Sequence, residues 1–516
     1  MAWRVTALAA ALVASTMGAV AAQTLMPTTD REFREKLLVW NRATTVEAYR
    51  QVGVRNPAWD DDAEALLDLC ARSFTGGRDA PAAEELLAAA EPLLDGNCSD
   101  PLVQYCIGVA LHAAGKPEEA KPLVTGAVEG FRESKYPRCR AWAAALRMGK
   151  LILETSTDGE DPAAPWLDLA AEWLIEAVGE GSYEGEGRRF FWLQVGSEIN
   201  WRAQFTSRAA RIESGLAALP NADPWLGHMV AGAREIAEAW QERGAGFANT
   251  VTEAGQEGYE RHLEEARHHF TTAWEDHPEC PEAATQMIEV CRGIGDARGE
   301  KFWQWFARVR AAQFDYMPAY GEVLWSLLPR WYGSVDEMYE FGLDCLDSGR
   351  FETDVPWYLI NVIRMIEREE GLTEIWRRPG LYEDVARLMD GMVNEPTRAG
   401  SQTWYRSLQA AVAWRAGRYD EAKRLLDELG NDLQPAAFTE WFKASLKLVV
   451  GEIRAAGGPL RPYVTWAEEL ARYGRYSEAI YLYQHLPRQV DDEAVAFYLA
   501  DRIATWTVAE ERADEP

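Results

Sequence analysis

A phrase that occurs twice constrains the fold of this chain more than any other feature. Residues 415–426 read RAGRYDEAKRLL, and residues 472–483 read RYGRYSEAIYLY. Apolar residues on both sides of Gly417 recur three, four and seven positions apart, which is the spacing of one helix face. A glycine between two such segments suits the left-handed residue that ends a helix. The phrase therefore predicts the corner of a helical hairpin.

Weaker copies of this corner occur elsewhere, at residues 75–94, 106–128, 262–278 and 340–359. Their small, aromatic and glycine positions resemble the tetratricopeptide repeat (TPR), in about five units that cover about half of the chain. The resemblance implies an all-α solenoid of TPR-like helical hairpins, wound as a right-handed superhelix. The units are not contiguous, because Ala422 and Ala479 lie 57 residues apart rather than a multiple of about 34. We therefore expect the middle of the array to be irregular.

A second resemblance is shorter. Residues 326–342 read SLLPRWYGSVDEMYEFG, and the Pro-Arg-Trp-x-Gly-Ser part resembles a segment of uncharacterised exported bacterial repeat proteins. The residues predict a helix end at Pro329 and a tight turn through Gly333. Ser334, with Glu337 three positions later, predicts the capping box of a new helix.

The first residues predict export. Arg4 precedes an uncharged apolar run from Val5 to Val20, and the small residues Ala21 and Ala22 follow. This is the pattern of a cleaved secretory signal peptide. An uncleaved anchor is the alternative, but the run is short and alanine-rich for a stable span. We expect a periplasmic or extracellular protein with no transmembrane segment after cleavage.

Length and charge narrow the class of protein further. The 516 residues carry a formal net charge of −29, which opposes binding to nucleic acid because phosphate contacts need clustered Lys and Arg. A chain of this length requires several domains or an extended array. The predicted segments are a signal peptide (1–22), an N-terminal TPR-like array (23–155), a Trp-rich helical segment (156–245), a central TPR-like array (246–393) and C-terminal TPR-like repeats with a capping helix (394–516).

Seven cysteines remain after signal cleavage, and their spacing contains no CxxC motif. Cys70 and Cys106 occupy matching places in neighbouring repeats. They could form a bridge in an oxidising compartment, or all seven could be buried thiols that pack as small hydrophobic groups.

The histidines suggest one metal candidate. Four of the seven lie between residues 262 and 277, and His262, Glu265 and His269 share a helix face. Zinc binds such side chains, but His262 and His269 would be separated by about 10.5 Å along the helix. The closer HExxH spacing is missing. We therefore expect no resident metal and no cofactor, and keep these three residues as the candidate set.

Catalytic motifs are missing from the sequence: it has no GxSxG, no P-loop and no dinucleotide fingerprint after a strand. It has 22 tryptophans, most of which we expect in the core. In tetratricopeptide arrays the first helix of each unit lines a concave groove, and aromatic and Arg side chains anchor ligands well. The resemblance places the following residues there: Tyr105, His112, Trp404, Arg415 and Arg472.

We therefore predict a non-catalytic, exported scaffold that binds a protein or peptide partner along the groove. The alternative is an enzyme of the helical-toroid type that acts on an envelope polymer such as a polysaccharide. A toroid would have a deep central cavity lined by acids, whereas an open array would have a shallow curved groove.

Overall fold

The computed structural model describes residues 28–513, except 78, 156–161, 202, 245, 247–249, 296–300, 332, 370, 372, 487–489 and the side chains at 195, 197–207, 373 and 513. The predicted signal peptide, residues 1–22, lies outside the described residues. Across the described ranges, extended pairing is limited to one isolated bridge between Thr28 and Gln313. No helix among these residues is both long and apolar enough to span a bilayer.

The chain divides into two compact units, between Tyr316 and Met317. The first contains α1 (Asp30–Arg42), α2 (Ala48–Val52), α3 (Asp60–Thr75), α4 (Ala83–Asp95), α5 (Pro101–Ala113), α6 (Pro117–Glu133), α7 (Arg138–Thr155), α8 (Ala164–Gly179), α9 (Glu186–Trp201), α10 (Ala203–Ala217), α11 (Trp225–Arg243), α12 (Glu253–Asp276), α13 (Pro281–Ile294) and α14 (Phe302–Ala312). The second contains α15 (Met317–Ser326), α16 (Val335–Asp347), α17 (Tyr358–Glu369), α18 (Leu381–Asn394), α19 (Gln402–Arg415), α20 (Tyr419–Leu429), α21 (Ala436–Thr439), α22 (Leu446–Ala456), α23 (Arg461–Arg472), α24 (Tyr476–Gln484) and α25 (Glu493–Ala513). The five-segment division remains a prediction.

Helices pack mainly on their neighbours in sequence. In the first unit α5 packs on α6, α7 on α8 and α11 on α12, and in the second α16 packs on α17 and α19 on α20. Helices two apart in sequence are also in contact, such as α8 with α10 and α9 with α11, and these contacts join successive hairpins. Within each unit, successive hairpins thus pack on one another, as in a solenoid. The prediction of an all-α array of helical hairpins is confirmed, and the right-handed superhelix stays a prediction.

The repeated phrase forms the predicted corner in both copies. Gly417 has φ of 72° and Gly474 of 74°, a left-handed conformation that glycine adopts without steric cost. The residue after each glycine closes the turn: Arg418 N donates to Ala413 O at 2.8 Å, and the corresponding bond from Arg475 N measures 3.0 Å. This is the bond pattern of a Schellman motif. Left-handed glycines also follow α5 and α16, at Gly115 (73°) and Gly349 (63°).

Small residues allow the paired helices to approach closely. Ala120, Ala422 and Ala479 of the repeat pattern are fully buried. A Cβ atom added at Gly108 of α5 would lie 2.5 Å from Val124 Cγ2 on α6, well inside van der Waals contact. The alanine and glycine positions of the repeat are therefore set by helix spacing.

The segment around Gly333 forms the turn that its residues predict. A 3₁₀ turn spans Pro329–Trp331, and a Cβ atom at Gly333 would lie 2.0 Å from Leu327 O. Ser334 is the N-cap of α16, where its hydroxyl accepts a hydrogen bond from Glu337 N at 3.2 Å. The backbone contact with Leu327 therefore excludes any side chain at position 333.

The last helix completes the apolar core of the second unit. It packs on α22 and α24. Five apolar residues of this helix are buried or partly buried there: Val495, Tyr498, Leu499, Ile503 and Trp506.

All seven cysteine side chains are buried. Cys70 Sγ donates to Cys106 O over 3.9 Å, so the two matching repeat positions are in contact. In the part of the chain that the structure describes, no disulfide joins two cysteines. All seven thiols are therefore free in this structure, and a Cys70–Cys106 bridge stays a prediction.

Candidate functional site

The groove residues predicted in the first unit have little free surface. Tyr105 is 3% exposed, and its ring stacks on Phe74 with centroids 5.9 Å apart. His112 is half-buried: its Nε2 lies 2.8 Å from Glu154 Oε2 and its Nδ1 lies 3.1 Å from an Arg147 guanidinium nitrogen. Both side chains already have partners within the unit.

The groove residues predicted in the second unit are more accessible. Trp404 is half-buried and meets Trp441 edge to face, with centroids 6.3 Å apart. Arg415 on α19 lies 3.7 Å from Glu367 on α17. Arg472, the last residue of α23, is exposed. Their role in binding stays a prediction.

The α23–α24 hairpin carries exposed aromatic side chains that the sequence prediction missed. Trp466 is 55% exposed, Tyr473 is 74% exposed and Tyr481 is 60% exposed. Trp466 is in α23, Tyr473 follows the last residue of that helix and Tyr481 is in α24. Arg472 lies next to Tyr473. We call Trp466, Arg472, Tyr473 and Tyr481 the aromatic surface.

An open cavity lies at the first copy of the repeated phrase, beside the same hairpin. Its volume is about 610 Å³. Its rim is charged: Arg418 pairs with Glu383, and Arg461 of α23 pairs with Asp420. The lining residues are Tyr382, Glu383, Gly417, Arg418, Tyr419, Asp420, Glu421, Ala456, Arg461 and Thr465.

A second candidate is polar and lies within the α11–α12 hairpin. Two glycines leave room for side chains of this hairpin. A Cβ atom at Gly232 would lie 2.7 Å from the Phe270 ring, and one at Gly258 would lie 1.5 Å from Glu242 Oε2. The Thr252 hydroxyl caps α12 by accepting from Gly255 N at 3.1 Å. Gly258 thus leaves room for the carboxylate of Glu242.

Three carboxylates of α11 surround one imidazole of α12. His262 Nδ1 lies 2.6 Å from Glu235 Oε2 and 3.6 Å from Glu238 Oε2, and its Nε2 lies 3.4 Å from Glu242 Oε1. Glu235 is buried, and Glu238 and His262 are half-buried. Over the described ranges, Glu235, Glu238 and His262 are the one group of three or more His, Cys, Asp or Glu side chains with ligand atoms within 4.8 Å of one another.

Two arginines partly balance these carboxylates. The guanidinium of Arg234 lies 2.8 Å from Glu235, 2.9 Å from Glu238 and 3.2 Å from Glu213. Arg261, which is 61% exposed, lies 3.1 Å from Glu242 and also donates to His262 Nε2 at 3.2 Å. Four carboxylates therefore face two guanidinium groups, which leaves two negative charges in excess.

The structure brings His262 to Glu235 and Glu238 rather than to the residues predicted on its own helix. Glu265 is exposed. His269 pairs with His228 of α11, with the two Nδ1 atoms 3.1 Å apart. Burial lowers the pKa of both His228 and His269. His262 and Glu235 lie 27 residues apart, so helix periodicity within α12 could not reveal their contact.

No protein-family model matches the chain, and no curated protein matches it. Among solved structures, the chain is similar to the crystal structure of the P58(IPK) TPR domain at 2.5 Å, with 13% identity over 88% of this chain and 100% of that one, at a TM-score of 0.17. A TM-score this low does not establish a shared fold, so the array is assigned from the order and packing of the helices.

Proposed function

We propose that this chain is an exported, non-catalytic scaffold that binds a protein or peptide partner through the second unit. The observation that carries the proposal is the aromatic surface. Trp, Tyr and Arg are the residues that most often dominate binding energy at protein interfaces. Trp466, Tyr473 and Tyr481 are each more than half exposed, so burying them would release a large apolar area from water.

The expected partner segment is apolar with flanking Lys or Arg. The net charge of −29 attracts cationic segments and repels acidic ones. The cavity rim carries the carboxylates of Glu383, Asp420 and Glu421, and Thr465 on this rim adjoins Trp466 of the aromatic surface. An extended peptide could therefore place apolar side chains on the aromatic surface and basic ones at the rim.

Selection from a displayed random-peptide library against the full mature chain tests the proposal. We expect enriched peptides with aromatic or aliphatic residues beside Lys or Arg. Their affinity should fall at least about tenfold for the triple variant Trp466→Ser, Tyr473→Ser and Tyr481→Ser, since truncation of hot-spot residues costs about 2 kcal/mol or more. The matched control is Val39→Ser, which removes an apolar side chain that is 69% exposed in the first unit. Equal affinity for both variants, or no enrichment, would refute the proposal.

Export depends on residues 1–22 alone. The pattern of Arg4, an apolar run and Ala21-Ala22 predicts cleavage after Ala22. N-terminal sequencing of the protein from a bacterial expression host should give a mature chain that begins at Gln23 and is located outside the cytoplasm. An intact Met1 terminus on a cytoplasmic protein would contradict export without affecting the binding test.

A further inference from the structure

We propose that Glu235, Glu238 and His262 form a binding site for one divalent transition-metal ion, with Zn²⁺ as the expected ligand. The site lies in the α11–α12 hairpin and is independent of the proposed partner binding. Zinc binds carboxylate oxygens and imidazole nitrogens, and a zinc site with three protein ligands keeps a fourth position for water or another ligand.

The geometry of the free side chains is close to that of a loaded site. Zinc binds oxygen and nitrogen ligands at about 2.0–2.2 Å, so tetrahedral ligand atoms lie about 3.3 Å from one another. His262 Nδ1 lies 2.6 Å from Glu235 Oε2 and 3.6 Å from Glu238 Oε2, which are values on either side of this spacing. Small side-chain rotations would therefore make room for the ion.

The second nitrogen of His262 also has the environment of a metal ligand. Imidazoles that bind a metal usually donate the other ring N–H to a carboxylate. Glu242 Oε1 lies 3.4 Å from Nε2 and can accept that hydrogen bond. Without metal, Nδ1 donates to Glu235 and Nε2 accepts from Arg261; with metal, the proton moves to Nε2 and the exposed Arg261 turns away.

The excess negative charge around His262 also favours a divalent cation. The carboxylates of Glu213, Glu235, Glu238 and Glu242 exceed the two guanidinium groups of Arg234 and Arg261 by two negative charges. A divalent cation would neutralise this excess in a partly buried site, where Coulomb interactions are stronger than in bulk water. The imidazole nitrogen selects against Mg²⁺ and Ca²⁺, which prefer oxygen ligands.

Zinc titration of the full mature chain, stripped with EDTA and measured in a competing chelator buffer, tests the site. We expect one equivalent of Zn²⁺, no displacement by millimolar Mg²⁺ or Ca²⁺, and a rise in Tm with zinc concentration. His262→Gln and Glu238→Gln should abolish both signals. Glu242→Gln should weaken zinc binding by about tenfold, because it removes the hydrogen-bond partner of a ligand.

The matched control is Glu265→Gln, which changes an exposed carboxylate of the same helix and should leave zinc binding intact. Glu238 is half-buried, so its variant tests the site even where His262→Gln does not fold. Zinc uptake that is absent, or that survives in Glu238→Gln and His262→Gln, would overturn the proposal. The network would then be a set of hydrogen bonds and ion pairs only.

Discussion

Arg189 of α9 and Glu282 of α13 form a buried ion pair at 2.6 Å that joins helices 93 residues apart. The guanidinium also donates to Gln313 Oε1 at 2.8 Å and lies 3.6 Å from the centre of the Phe33 ring. One side chain thus connects four separate parts of the first unit. An uncompensated charge at this position would be costly, because both side chains are buried.

We predict that Arg189→Met lowers the free energy of unfolding by about 3–5 kcal/mol, because it leaves the Glu282 carboxylate buried without its partner. Urea denaturation of the full chain measures the change. Arg31→Met is the control: its pair with Glu35 is 3.9 Å long and more than two-thirds exposed, so it should change stability by less than about 1 kcal/mol. Equal effects of the two variants would show that the buried pair has no special role.

Replacing two glycines of the second unit by alanine should change the free energy of unfolding in opposite directions. Gly417→Ala should cost about 1–2 kcal/mol, since an L-residue is strained at φ of 72°. Gly321→Ala should instead stabilise by about 0.5–1 kcal/mol, because Gly321 is inside α15 and a Cβ atom there meets Tyr358 Oη at an ordinary 3.6 Å. Denaturation midpoints of both variants test this. A stabilising Gly417→Ala would contradict the left-handed corner.

The buried cysteines should be unreactive in the folded protein. Burial raises the pKa of Cys98 and of Cys139 to about 11, and the thiolate is the reactive form. At pH 8 a thiol reagent should label the native chain slowly. It should count seven thiols after unfolding in denaturant without reductant. A count of five would show that an oxidised pair, with Cys70 and Cys106 as the first candidates, exists in the mature protein.

The His228–His269 pair predicts a loss of stability in mild acid. Burial lowers the folded-state pKa of both rings below 6.5, the ordinary value. Protonation therefore favours the unfolded chain, and the stabilising contribution is complete above pH 6.5 and is lost as pH falls below it. The neighbouring charges of Asp276, Glu213 and Glu235 oppose this lowering, and His268 adds to it.

Urea denaturation at pH 7.5 and pH 5.5 measures this contribution. The unfolding free energy of the parent chain should fall more between these pH values than that of the double variant His228→Gln, His269→Gln. His485→Gln, which changes an exposed histidine of the second unit, should behave like the parent. The same pH dependence in the double variant would assign the acid sensitivity to other groups.

The corners could be predicted from sequence because their cause is local. A glycine between two amphipathic segments specifies the left-handed residue at Gly417, and Ser334 with Glu337 specifies a helix start within four residues. Export, the superhelix and the groove roles of Tyr105 and Trp404 remain predictions. The superhelix and the groove roles depend on which surfaces neighbouring hairpins cover, which the repeat pattern does not encode, whereas export depends on residues 1–22.

The two candidate sites were less predictable, because they also depend on contacts between different helices. The partners of His262 come from α11, and their contact depends on the register of the hairpin and on the space that Gly258 leaves for Glu242. The spacing of His262, Glu265 and His269 within α12 carries no information on these partners. The exposure of Trp466 and Tyr473 could not be predicted from sequence either, because other tryptophans, such as Trp225 and Trp305, are buried in the core.

The most direct test of the proposed scaffold is hydrogen exchange on the full mature chain, with and without a peptide selected by display. Partner binding through the aromatic surface predicts slower exchange concentrated in α23 and α24 and along the cavity rim at residues 417–421, with the first unit unchanged. Protection that appears only in the first unit, or no change at a peptide concentration that saturates binding, would contradict it.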